Sequence, residues 1–597
     1  MNNNNSTPKM KELVGKSERI ATIGSPSTTV ELCLDVLGTA VGLKLVGELA
    51  YFHFIQDGKD HFALGQITEI ELRNAWLEDP TMRSLARQKG NVNPVSGQQD
   101  THIGKMTLSA VFSEEANEYE PSMLGTVPPT GTYISRATEE ELTTLLKQYS
   151  EQLFYLGKVY GSTPRLPLWF KHFDSDNPSK GVVGGAGEAY HLGIFGKSGS
   201  GKSVLAKLIT LGYARHKSMG MFILDPQGEF AKDLKQGETL FEEIGKAFSP
   251  KMLRNMGREF QVYNLSNINL NRYELLAQFL VEFNFFFDLG VKAPQYQEVA
   301  ADYVENYLRD NTKINFGNID NSTLGMVLNY LKDRAQRIYS SPASKANVEE
   351  AIDEVLNSLN TNTQHRVITT WNNVIKFFKP QQGKKDVDYI VKEVMSSQNG
   401  DNRKITVIDL SEKPREIKQY VWDERVKPLI IDCFLDALID DRLYKQNKSM
   451  NTLVVIDEAH RLAPRGRLEN EKKERVRNRL IDAVRTTRKY GLGWLFISQT
   501  LSSLDKEIIE QLRIFFFGFG LSMGTEFQAL KEIAGGNSDA LKLYQTFRDP
   551  QSGFGAKSRQ HSFMTVGPVS PLSFAGTPLF LTAFNDIQDF KNANNLK

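Results

Sequence analysis

Eight consecutive residues, Gly196-Lys197-Ser198-Gly199-Ser200-Gly201-Lys202-Ser203, satisfy the pattern G-x-x-x-x-G-K-S. Glycines at these places let the backbone turn tightly enough for its N–H groups to face one set of phosphate oxygens. A helix starting directly afterwards adds the positive end of its dipole to the same anion. The spacing assigns Lys202 to the β- and γ-phosphates of ATP and the Ser203 hydroxyl to Mg2+. Gly196, Ser198, Gly199, Ser200, Gly201 and Val204 complete the expected nucleotide-holding set. A second signal, Leu453-Val454-Val455-Ile456-Asp457-Glu458, is an apolar strand ending in two acids. Asp457 at the tip would hold the magnesium through water, and Glu458 would polarise the attacking water as general base. Two acids ending a strand are otherwise often a solvated edge, so this pair takes its weight from the phosphate loop upstream. A third strand, Phe496-Ile497-Ser498-Gln499-Thr500, ends in polar residues. Gln499 there either senses the γ-phosphate or serves as a plain strand-to-loop cap.

Charge adds a fourth signal. Between 461 and 489 there are eleven basic residues against four acids (Glu469, Glu471, Glu474, Asp482), a local balance of +7. Arg485 and Arg488 stand just before the Gln499 strand, where a ring-forming ATPase can project an arginine into a neighbouring subunit's nucleotide. The remaining basic residues either meet DNA phosphates, giving salt-sensitive and sequence-independent binding, or form a solvated helix face. The nine histidines and two cysteines, Cys33 and Cys433, form no ligand spacing for a transition metal.

The elements that must position these residues are legible in outline. The chain has 597 residues, long enough for several domains, with a net charge of +1 from 72 basic and 71 acidic side chains. That balance excludes a uniformly basic nucleic-acid coat, so any charged partner meets a local patch. With 40% apolar and 24% charged residues, two distant thiols, no leader-like amino terminus and no apolar run of membrane length, the expectation is a globular cytoplasmic protein with no membrane contact. In the first third, alternation at 30–36 and beta-type runs at 44–55, 61–72, 106–112 and 131–134 predict a small closed or nearly closed barrel, with an open sheet as the alternative. Leucines at helical spacing predict a helix over 139–155. After glycine punctuation at 181–187, buried strands are expected at 191–195, 219–224, 405–410, 453–456, 493–498 and 514–519, the short apolar runs of a parallel sheet covered on both faces. Between 271 and 399 the periodicity is helical, with 321–339 and 346–359 as typical segments.

These motifs, together with Asp225-Pro226-Gln227-Gly228-Glu229-Phe230 and Ile456-Asp457-Glu458-Ala459-His460-Arg461, resemble the HerA family within the FtsK/HerA group of hexameric DNA-pumping ATPases. Gln227 departs from the histidine usual in that family. The resemblance implies an α/β fold: a RecA-like P-loop ATPase core with a parallel-type sheet, preceded by a small β-barrel of the HAS-barrel type. It implies the organisation 1–137 barrel, 138–270 first part of the core, 271–399 helical insertion, 400–561 second part of the core, and 562–597 carboxy-terminal strands bracing a neighbouring subunit. It also implies a homo-hexamer that translocates double-stranded DNA. Such motors work with an effector protein, a nuclease or a NAD-consuming enzyme, docked on the barrel and serving DNA processing or anti-phage defence. An ATP-controlled scaffold that activates its effector without processive translocation is the other reading.

Overall fold

The computed structural model describes all residues except 1–9, 90–98, 117, 175–185, 236–242, 340, 396–401, 416, 441–449, 467–470, 554–558, 574–575 and 597. The amino terminus at 1–9, most of the glycine punctuation at 181–187, and Arg467 and Glu469 of the basic run therefore lie outside the described residues. Chain contacts define two compact units. The first comprises Met1–His216, Glu238–Met256 and Trp494–Lys597; the second comprises Lys217–Gly237 and Gly257–Gly493.

The first unit begins with β1 (Arg19–Ile23), β2 (Glu31–Val36), β3 (Leu49–Gln56), β4 (Lys59–Asn74), β5 (Asp100–Glu115), β6 (Glu118–Ser122) and β7 (Tyr133–Arg136). Antiparallel neighbours run β2-β1-β7-β3-β4-β5, and β5 pairs again with β2, so six strands close into a barrel while β6 extends from β5. In β2, Leu32 and Leu34 are buried while Glu31 and Cys33 are half-exposed, the two-residue period of a strand with one face on a core. Ile20, Phe52, Ile67 and Met106 fill the same interior. The register between β4 and β5 shifts at Leu64/Gly65 and at Ile67/Glu69. Such irregularities supply the bend that a small closed barrel requires.

Two expectations need correction here. The strand read from 44 begins at Leu49, because the chain before it turns through Gly47 at φ +88°. The helix read over 139–155 spans only Glu139–Leu145. Thr138 and Glu141 cap it reciprocally, a 3-10 turn follows at Lys147–Gln152, and then comes β8 (Leu153–Val159). Phe154, Leu156 and Val159 are buried and Lys158 is exposed, so a strand's alternation takes over where the leucines stop.

The same unit holds β9 (Arg165–Trp169), β10 (Leu192–Phe195), the helix α1 (Lys202–Ala214), and later β17 (Leu492–Ser498) from Trp494 onward, β18 (Ile514–Phe517), β19 (Ser562–Val566) and β20 (Leu579–Ala583). β10 lies between β17 and β18, parallel to both. Antiparallel pairing then continues from β18 through β19, β20, β8 and β9, so the sheet is mixed at its carboxy-terminal side. Two hydrogen bonds join the barrel to the hairpin: Phe580 N donates to Gln66 Oε1 at 3.1 Å and Thr577 Oγ1 to Leu108 O at 2.6 Å.

The second unit carries β11 (Gly220–Asp225), β12 (Phe260–Asn264), β15 (Ile405–Asp409) and β16 (Thr452–Ile456), all parallel in the order β12-β15-β11-β16. Every residue of β11, β15 and β16 is buried, as continuous apolar runs predict. The insertion is helical, with Tyr273–Glu282, Pro294–Asp310, Pro342–Asn360 and Arg366–Phe378 among its helices. The segment expected at 321–339 is two helices, Asn321–Lys332 and Ala335–Ile338. Two-residue strands β13 (Ile268–Asn269) and β14 (Lys385–Asp386) pair at its base. No helix among the described residues is long and apolar enough to cross a membrane.

Candidate nucleotide site

In the first unit, buried β10 delivers the chain to the carboxyl edge of its parallel neighbours, and α1 starts after a six-residue loop. Lys197, Ser198 and Gly199 are exposed, whereas Gly196 and Ser200 are buried. Gly199 and Gly201 have φ of +82° and +93°, a region that L side chains rarely adopt. The loop closes through Ser200 N donating to Lys197 O at 3.1 Å. Lys202 is only 8% exposed and folds back over this loop, its Nζ donating to Lys197 O at 3.1 Å. No side chain caps α1 at Gly201, the helix end at which anions are favoured. Ser203 and Val204 are half-buried in the first turn. Phe195 of β10 pairs with Ser498 of β17, so Gly196 and Gln499 leave adjacent parallel strands side by side. An uncapped helix start, left-handed glycines and a buried ammonium suit a polyphosphate anion.

In the second unit, Asp457 follows β16 and is 5% exposed. Burial pushes its carboxyl up to about 7, and the neighbouring acids Glu229, Glu458 and Asp225 push the same way against a hydrogen bond from Glu458 N. A cation is the ligand that such a carboxylate favours. Glu458 has φ +53°, a strained conformation for a non-glycine residue, and strain of this kind concentrates at functional sites. Its Oε2 lies 3.5 Å from His460 Nε2 and 3.7 Å from Arg461 Nε. Among the described residues no group of three or more His, Cys, Asp and Glu is arranged to hold a metal. Magnesium commonly needs only one or two protein carboxylates besides water and phosphate oxygens, so Asp457 suits it.

The neighbouring Asp225 has a structural task. Its Oδ1 accepts from Glu229 N at 3.0 Å, and its Oδ2 from Phe230 N at 2.9 Å and Ala231 N at 2.8 Å, capping the helix α2 (Glu229–Lys235). Burial still pushes Asp225 up to about 6. Beside it on β15, Asp409 is pushed up by burial but held below the ordinary aspartate value overall by Lys235 and Ser411. Lys427, at the start of the helix α3 (Lys427–Ile439), donates to Pro226 O at 2.7 Å and fixes the turn before α2.

The basic run forms the helix α4 (Glu471–Thr487) and a 3-10 turn at Arg488–Tyr490. Arg485 is exposed and Arg488 half-buried. The surplus read from sequence is reduced by acids from elsewhere in the unit. Arg475 meets Glu274 at 2.7 Å, and Arg479 meets Asp432 at 2.9 Å and Asp436 at 3.6 Å. Sequence reading singled out Glu229 within a motif but gave it no role, and it missed Lys427. It also missed Gln551 and His561, which lie against the phosphate loop. Lys427 stands directly before the proline in the first turn of α3, and nothing local marks Gln551 or His561.

Residues 189–425 match the family model described as Helicase HerA, central domain. No curated protein sequence matches the chain. Among solved structures, VirB4 of Thermoanaerobacter pseudethanolicus is 13% identical over 73% of this chain and 97% of that chain, with a TM-score of 0.39. The genome packaging NTPase B204 of Sulfolobus turreted icosahedral virus 2, in complex with ATP-gammaS, is 10% identical over 66% and 96%, with a TM-score of 0.28. The bacterial conjugative coupling protein TrwB is 10% identical over 66% and 85%, with a TM-score of 0.35. The complete phosphate loop lies inside the matched span, so the chain carries a P-loop ATPase core whose residues 189–425 are similar to the HerA central domain.

Proposed function

We propose that this ATPase forms a cytoplasmic hexameric ring that hydrolyses ATP with Mg2+ between identical protomers and thereby moves double-stranded DNA. An effector protein, a nuclease or a NAD-consuming enzyme docked on the amino-terminal barrel, performs the accompanying DNA processing or anti-phage chemistry. The observation that carries this reading is the intact G-x-x-x-x-G-K-S loop inside residues 189–425, the span similar to the HerA central domain. In it, the backbone from Gly196 to Val204 cradles the phosphates, and Lys202 balances charge on the transferred phosphoryl group. Ser203 and Asp457 would hold the magnesium, which would supply Lewis-acid charge withdrawal to the triphosphate. Glu458 takes the proton of the attacking water, and Gln499 reports the γ-phosphate to β17. Arg485 or Arg488 acts on the nucleotide of the next protomer. The high proton affinity of Asp457 supports its role, because bound cation relieves the repulsion among its neighbours.

The test is phosphate release with and without linear duplex DNA, combined with mass photometry of the assembly. Duplex DNA is expected to raise turnover, and particles are expected at six protomers. Glu458→Gln should retain ATP binding while turnover falls about 10²–10⁴-fold, the range for losing a general base. A protein that stays monomeric at full turnover, indifferent to DNA, rejects the proposal.

A further inference from the structure

Two side chains from the carboxy-terminal third of the chain cover the phosphate loop, and none of the roles above uses them. Gln551 sits in the 3-10 turn Pro550–Ser552, held where Asp549 Oδ1 accepts from Gln551 N at 2.9 Å. His561 immediately precedes β19, and its carbonyl accepts from Ala583 N of β20 at 2.8 Å. One backbone is thus fixed by a cap and the other by the hairpin. A Cβ added to Gly199 would come within 2.3 Å of Gln551 Nε2, and one added to Gly201 within 2.5 Å of His561 Nδ1. The amide and the imidazole therefore occupy the space beside the two left-handed glycines of the loop. Burial holds His561 below the ordinary histidine range, and its Nδ1, facing the loop, is a buried polar atom with no hydrogen-bond partner among the described residues. A neutral imidazole offers one donor and one acceptor, enough to hold a loop peptide without adding charge.

A glycine-rich loop loses much conformational freedom when it closes around an anion. Side chains that already hold it in the closed form remove that cost from binding, which raises affinity without altering the chemical step. We propose that Gln551 and His561 are positioning residues that clamp Gly199 and Gly201 in the phosphate-ready conformation and tie the loop to the β19–β20 hairpin. The clamp rests on the assignment of the chain as an ATPase.

The test measures ATP and ADP affinity with a fluorescent nucleotide, and steady-state turnover, for His561→Ala, His561→Asn and Gln551→Ala. His561→Ala should raise Kd for both nucleotides about tenfold while kcat at saturating ATP changes less than about threefold. His561→Asn, which keeps a donor and an acceptor, should recover most of the affinity. Gln551→Ala should act in the same direction. Because Gln551 is exposed, its replacement leaves the fold intact even if His561→Ala does not. Unchanged Kd in both alanine variants overturns the clamp, as does a fall in kcat at constant Kd. A wild-type protein that binds no ATP removes the ATPase assignment and the clamp together, whereas normal wild-type binding with unaltered variants removes only the clamp.

Discussion

Asp457 holds its proton up to about pH 7 in the folded protein. An unfolded aspartate ionises near ~3.9, so between these values the native state binds a proton that the unfolded chain has lost. The contribution of this group to stability is complete at low pH and is lost as pH rises through about 7. Asp457→Asn removes the cost of ionising a 5%-exposed carboxyl among other acids. The nucleotide-free variant should therefore melt a few degrees above wild type at pH 8, and the difference should shrink towards pH 5, as read by differential scanning fluorimetry. Equal gains at both pH values would contradict the repulsion described here. The same substitution should cut ATP turnover, the usual exchange when a destabilised functional residue is relaxed.

At the scale of elements, the connection from β11 to α2 depends on one side chain. Asp225→Ala strips three backbone N–H groups of their acceptor at the start of α2 and should cost about 1–2 kcal/mol in denaturant unfolding. Asp225→Asn keeps one carbonyl oxygen and removes a buried charge, so it should lose less; equal losses would mean that the cap is not the main contribution. The sequence announces this connection well: β11 ends at an acid followed by proline and glycine, a helix-start signature. Buried core strands were legible to within a residue or two because continuous apolar runs of that length have few other homes. The barrel was partly legible: β2 alternates cleanly, while β6 carries three acidic or proline positions in its five residues, Glu118-Tyr119-Glu120-Pro121-Ser122, and does not read as a strand. The helix read through Tyr155 failed because leucine spacing carried over into a region whose burial alternates every two residues. His561 beside Gly201, and Asp432 beside Arg479, depend on contacts between distant parts of the chain and leave no local trace.

For the whole molecule, the proposed ring with shared sites makes a prediction that no isolated subunit can meet. Lys202→Ala and an arginine variant, Arg485→Ala or Arg488→Ala, should each hydrolyse ATP poorly alone. Mixed, they should recover part of the activity in phosphate-release assays, because some seams join a good loop to a good arginine. Recovery at no mixing ratio would place both halves of the site in one protomer. The pairing of β20 with β8, which sets Leu581 against Val159, bears on how the protein is made. At the ~5–20 residues per second of synthesis, β8 leaves the ribosome tens of seconds before its partner exists. Throughout that interval the nascent chain carries a raw strand edge, the feature that recruits wrong neighbours. Translation speed thus sets how long an incomplete sheet must be shielded, and crowding of ribosomes along one message would lengthen the list of edges it could meet.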